Sequence, residues 1–153
     1  MNGVPEKIEV RGTVLDRIGL AAEFVCWAAD LPGDEPRTVS IVIEPAGPPT
    51  DQAVDSAAQA IAGFDVLAAA ASRYLVAELA DPVWELDTED RARLDGPEAP
   101  FGLPEAIIWS DGSWMIRFAE CGLAIGEEFG IGVRFTGTAP VGIEDLSGSA
   151  EVL

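Results

Sequence analysis

The sequence predicts an α+β fold: a mainly antiparallel sheet of six or seven strands with one long, bent helix packed on one face. Three observations predict it. Short alternating apolar runs occupy both ends of the chain, an alanine-rich run of helical period lies between them, and an Asp111-Gly112 pair punctuates the C-terminal half. With 153 residues the chain fits a single domain, 1–153, around one core.

In chain order, Ile8, Val10 and Val14 alternate with Glu9, Arg11 and Thr13, and a turn at 16–19 leads into a second strand over 20–28. On that strand Ala22, Phe24 and Cys26 share one face, with Glu23, Val25 and Trp27 on the other. Val39, Ile41 and Ile43 form the inward face of a third strand, completing an antiparallel meander. Pro48-Pro49-Thr50 opens the helical region, where Thr50 suits an N-cap and Asp51 and Asp55 suit the positive end of the dipole. Val54, Ala58, Ile61, Phe64, Ala68, Ala71, Leu75 and Leu79 then recur at steps of three and four until Asp81-Pro82. Unbroken, that helix would be about 45 Å long at 1.5 Å per residue. A domain of this size is only about 40 Å across. A bend or break near Gly63–Asp65 is therefore expected.

Residues 81–104 are the most polar connection, with Thr88 as a cap for a short helix ending near Leu94 and Pro97, Pro100 and Pro104 beyond it. A two-residue turn at Asp111-Gly112 pairs Ser110 with Ser113, Trp109 with Trp114, Ile108 with Met115 and Ile107 with Ile116. Ile107, Trp109, Trp114, Ile116 and Phe118 then share one face, matched by Phe129, Ile131, Val133 and Phe135 on the next strand. Val141 and Ile143 suit a last strand.

Charge narrows the function. Against 27 acidic residues there are 9 basic ones, a formal charge of -18 that divides into -4, -8 and -6 over residues 1–50, 51–100 and 101–153. A body negative throughout repels phosphate, which argues against nucleic acid and anionic membranes as partners. The acidity also fits a GC-rich bacterial composition, since Arg outnumbers Lys eight to one and Asn occurs once. Histidine is absent, which removes Ser-His and Cys-His catalysis and histidine-ligated zinc. No cofactor motif is present: Gly130-x-Gly132 has the wrong spacing for a dinucleotide loop and suits a close approach of neighbouring backbone. Neither a leader nor a run of about 18 apolar residues is visible, so a cytoplasmic protein with reduced Cys26 and Cys121 is expected.

Candidate binding residues follow from the same reading. Trp27 and Glu23 share a strand face, so either the sheet is covered on both sides there or an aromatic stands exposed beside a carboxylate. Glu85, Asp87, Glu89 and Asp90 concentrate charge just after the long helix, where Trp84 plugs helix to sheet. The pairs Asp34-Glu35, Glu127-Glu128 and Glu144-Asp145 could in principle serve a glycosidase, though 27 acids place neighbours together by chance.

The order of features resembles small uncharacterised bacterial α+β domains found near the immunity proteins of polymorphic toxin systems. Tyr74, Leu75 and Leu79, Trp84, Asp111-Gly112-Ser113-Trp114 through Phe118, Phe129 through Val133 and Leu146-Ser147-Gly148 carry the resemblance, over about residues 51–148. Members often have a Gly-His pair where this chain has Gly130-Ile131, so no histidine-based site carries over. The resemblance implies a non-enzymatic binding module with a toxin as partner, and an acidic inhibitor suits a basic one. Two other classes stand beside it: a small carboxylate- or metal-dependent hydrolase, and a homo-oligomer joined through a sheet face or edge around Trp27.

Overall fold

Arg11 and Gly12 both adopt left-handed backbone, with φ of 51° and 80°. Two such residues make the tight turn that matches strand twist, and it divides the first apolar run into β1 (Lys7–Val10) and β2 (Thr13–Leu20). The remaining strands are β3 (Val25–Asp30), β4 (Thr38–Ile43), β5 (Phe101–Trp109), β6 (Trp114–Cys121), β7 (Ile131–Thr136) and β8 (Ala139–Asp145). The helices are α1 (Asp51–Ala62), α2 (Phe64–Leu79) and α3 (Thr88–Leu94). These come from a computed structural model that describes residues 4–33, 37–126 and 130–145.

The class is α+β as expected, but the sheet has eight strands rather than six or seven, and the long helix is two helices. The extra strand arises at Arg11-Gly12, because an arginine in a left-handed turn leaves no compositional mark. The turn expected at 16–19 is instead a bulge inside β2, where register shifts between Arg17 and Gly19. Strand order follows chain order, and every neighbouring pair is antiparallel except β4 and β5. That parallel pair needs a crossover, and residues 44–100 supply it with all three helices.

α1 and α2 meet at 87°. The bend falls at Gly63, as expected, whose φ of -126° is open to any residue. Thr50 caps α1 by accepting from the Ala53 amide at 3.1 Å. On α1 the buried stripe is Ala53, Ala57 and Ala60, one residue round from the expected Val54, Ala58 and Ile61, which are partly buried. On α2 it is Phe64, Leu67, Ala71, Leu75 and Leu79, with Leu67 in place of the expected Ala68, which is partly buried. Small alanines let α1 lie close against β4 and β5. No single described helix is long and apolar enough to cross a membrane, and the bent pair lines the core with both stripes.

Leu15, Val25, Trp27, Val39, Ile41, Ala106, Ile108, Ile116, Ile131 and Val133 point from the sheet into that core and are fully buried. Each large aliphatic side chain among them contributes about 1.5–3 kcal/mol on burial.

The hairpin at Asp111-Gly112 forms, with a register one residue away from the expected one. Trp109 donates its amide to the Ser113 carbonyl at 2.9 Å, and Gly112 donates back to Trp109 at 2.9 Å. The loop thus has three residues, closed by Gly112 at φ 84°. Ile108 faces Trp114 and Ala106 faces Ile116. One step of slip moves Ile107 and Trp109 to the other side of the sheet. Trp114 stacks on Phe135 instead, with centroids 4.4 Å apart. The cause lies in α1: Thr50 donates to the Ser110 carbonyl and Ser56 to the Gly112 carbonyl, both at 2.5 Å, and these contacts fix the loop on the helix start.

Two glycines give opposite expectations under denaturant. A methyl at Gly130 (φ 80°) would sit 2.2 Å from the Phe118 carbonyl, so Gly130→Ala should cost about 2 kcal/mol or more. A methyl at Gly63 would meet Leu67 at 3.6 Å, an ordinary contact, so Gly63→Ala should stay within about 1 kcal/mol of the parent with the bend intact.

Candidate functional site

Residues 85–98 carry most of the expected binding carboxylates, and the structure divides their roles. Glu85 is exposed in left-handed backbone at the end of a 3-10 turn, Pro82–Trp84, whose Trp84 packs against the core. Asp87, not Thr88, caps α3, accepting from the Asp90 amide at 2.7 Å. Glu89 pairs with Arg93 at 2.7 Å on the helix surface. Asp90 is only 5% exposed: its Oδ2 accepts from the Ala124 amide at 3.2 Å, and its Oδ1 lies 3.4 Å from Arg93. Arg93 also donates to the Gly122 carbonyl at 2.8 Å. Asp90 is therefore a tie between α3 and the loop after β6, not a residue offered to a partner.

Around that tie the crossover is strongly acidic. Of the eleven carboxylates in 51–100, only Asp90 is buried, and they face three arginines. Two of the three are engaged locally, Arg91 with the Leu86 carbonyl and Arg93 as above. Glu78, Glu85, Asp95 and Glu98 remain exposed on this layer.

Trp27 does not stand on a surface. It has 0% exposure, faces the core beside Val25, and donates from Nε1 to the Pro5 carbonyl at 2.9 Å. Residues 4–6 close over it, with Val4 buried and Arg17 donating to the Val4 carbonyl at 3.1 Å. Of the two faces, Val25 and Trp27 point in, while Cys26 does not and Phe24, just before β3, is exposed. Glu23 is exposed in the turn before β3, separate from Trp27. No expected interaction anchor survives at Trp27.

What the sequence did not reveal is the helix-free face of the sheet. One cross-strand row there runs Lys7, Asp16, Ala28, Ser40, Ile107, Met115, Arg134 and Gly142 from β1 to β8. The next runs Asp30, Thr38, Glu105, Arg117, Gly132 and Glu144. Val42 and Trp109 pair beside them. Val42, Ile107, Trp109 and Met115 form an apolar centre that does not join the main core. Met115 is nonetheless only 5% exposed, lying over Gly132, where a methyl would approach its sulfur to 2.9 Å. Arg134 stretches across Gly142 in the same way. The Gly130-x-Gly132 pair thus serves close approach. Glu105 and Arg117 pair at 2.6 Å, and Lys7 and Asp16 at 2.5 Å.

Among the described residues no three Asp, Glu or Cys side chains converge as a metal site requires. A cleft of about 430 Å³ lies between Arg37, Asp65 and the α1–α2 bend, where Arg37 pairs with Asp65 at 2.5 Å and donates to the Pro32 carbonyl. Another of about 440 Å³ is lined by Asp87, Glu89, Asp90 and Arg93. The adjacent acids Asp34-Glu35 and Glu127-Glu128, Phe129, the Asp145 side chain and Leu146-Ser147-Gly148 lie outside the described residues. Burial pushes both half-buried thiols, Cys26 and Cys121, above the ordinary cysteine range. Compared with protein-family models, curated proteins and solved structures, the chain shows no match to any.

Two outcomes test this assignment. Asp90→Ala should lose about 2–3 kcal/mol in urea, because the Ala124 amide and Arg93 lose a buried anionic acceptor, whereas Asp90→Asn, which keeps an acceptor, should lose less. Since raised thiol pKa values mean less thiolate at a given pH, iodoacetamide should modify both cysteines of the native chain more slowly at pH 8 than free cysteine. The difference should narrow as the pH is raised and vanish in denaturant.

Proposed function

We propose that this chain is a non-enzymatic protein-binding module whose acidic crossover layer engages a basic protein. The observation that carries the reading is the arrangement of charge: ten exposed carboxylates on the layer formed by 51–100, with two of its three arginines already committed to neighbouring groups. Such a surface raises the encounter rate with a cationic partner and disfavours acidic competitors. The α3 tie through Asp90 holds Glu85, Asp87 and Glu89 on a fixed support, so little ordering cost falls on binding. The resemblance to domains accompanying immunity proteins supports the same class and points to a basic toxin held inactive in the cytoplasm. A reduced compartment agrees with two unpaired thiols. The three carboxylates that line one cleft, Asp87, Glu89 and Asp90, are engaged as a helix cap, a surface ion pair and the tie to Ala124, which favours a binding surface over a hydrolase.

The test is affinity capture from the producing cell with the parent chain and with a Glu78→Lys, Glu85→Lys, Glu98→Lys variant, whose three carboxylates accept no helix-capping hydrogen bond and make no ion pair among the described residues. A basic protein captured by the parent, weakened about tenfold or more by the variant and by raising salt from about 50 to 300 mM, supports the reading. Identical capture by both chains overturns it.

A further inference from the structure

The helix-free face of the sheet is charge-complementary to itself. Its two rows carry Asp16 and Asp30 on β2 and β3, and Arg117 and Arg134 on β6 and β7, on either side of the apolar centre at β4 and β5. Asp16 and Arg134 belong to one continuous row, and Asp30 and Arg117 to the next. A two-fold axis lying parallel to the strands, between β4 and β5, lays β2 of one copy over β7 of the other and β3 over β6. Along each row, Asp16, which pairs with Lys7 in its own chain, then meets Arg134; Asp30 meets Arg117, which already holds Glu105; Ala28 meets Met115 and Val42 covers Trp109, while at the rim Glu9 falls over Glu144. Arg134 is exposed and makes no ion pair among the described residues, so its guanidinium is available to a carboxylate of the other copy.

We propose that a second copy of this chain docks on that face, giving a symmetric dimer of two stacked sheets with the acidic helical layers outward. Net charge does not oppose this arrangement. Across the face, Glu9, Asp16, Asp30, Glu105 and Glu144 stand against Lys7, Arg117 and Arg134, so this side carries little of the total of -18. The crossover layers, where the charge concentrates, end up on opposite sides of the assembly. Edge pairing is the poorer route: β1 presents Lys7 and Glu9, and β8 contains Pro140 with a register shift beside it. The face spans eight strands, about 34 Å at a spacing of about 4.8 Å, by about 17–20 Å along the strands. That footprint is of the order of the roughly 800 Å² per partner that stable interfaces use. Sheets stacked about 10 Å apart leave room for an arginine to reach an aspartate. The geometry is independent of any partner on the acidic side.

Sedimentation equilibrium on the full chain at about 150 mM salt decides it, with circular dichroism confirming each variant folded. The expected result is a monomer–dimer equilibrium in which Asp16→Arg or Arg134→Asp alone weakens association about tenfold or more. The combined charge swap should return it to within about threefold of the parent, because each lost pair is rebuilt across the two-fold axis. Trp109→Ser should weaken it as well. A monomer up to about 0.5 mM overturns the proposal. So does a dimer indifferent to all these substitutions, or a swap that adds the two losses instead of reversing them.

Discussion

A single parallel pairing organises this molecule. β4 and β5 lie side by side in the same direction, and the chain can achieve that only by leaving the sheet and returning over one face. All three α-helices among the described residues belong to that return, so they cover one side of the eight strands and none of them covers the other. The 87° bend between α1 and α2 follows from the same requirement, since a straight run of that length would overshoot the sheet it has to cover. The buried stripes of both helices meet the inward rows of the strands, and the main core lies wholly on that side.

Two kinds of surface result. The crossover is a covering layer, so its outer residues face only water, and its carboxylates accumulate there without disturbing packing. The open sheet face is constrained differently, because its side chains stand on strands fixed by the core beneath. Alternation forces Ile107, Trp109 and Met115 outward once Ala106, Ile108 and Ile116 are inward. Gly132 and Gly142 then let Met115 and Arg134 lie flat across the neighbouring strands, which shields part of the apolar centre and moves a cation toward the edge. The acidic layer suits electrostatic encounter, and the sheet face suits a shape-matched partner.

How far the sequence could be read depended on whether a signal was local. Thr50 as a cap, the stripe from Phe64 to Leu79, the bend at Gly63 and the inward Ile131, Val133 and Phe135 all follow from the periodicity or chemistry of residues close in the chain. The sequence leaves Trp27 either covered or exposed, because the faces of a short strand apolar on both sides cannot be told apart without knowing what covers them; Val4, Pro5 and Arg17 decide that from elsewhere in the chain. The hairpin register is likewise set from a distance. Asp-Gly permits either a two- or a three-residue loop, and the choice rests with Thr50 and Ser56, more than 50 residues away in the chain. Asp90 looked like its neighbours until its contact with the Ala124 amide appeared.

By itself, then, the sequence determined the class of fold, the extent and bend of the helical region, the acidic character of the connection after it, and the lack of any histidine chemistry, because each is a property of composition or of a single element's period. Tertiary structure alone decided which side of each strand is inside, which carboxylate is a structural tie, and where an open apolar face with paired charges lies. Those are relations between distant segments. A one-residue shift of register exchanges the two faces of a strand at almost no local cost, so only the summed burial of the whole sheet can select between them.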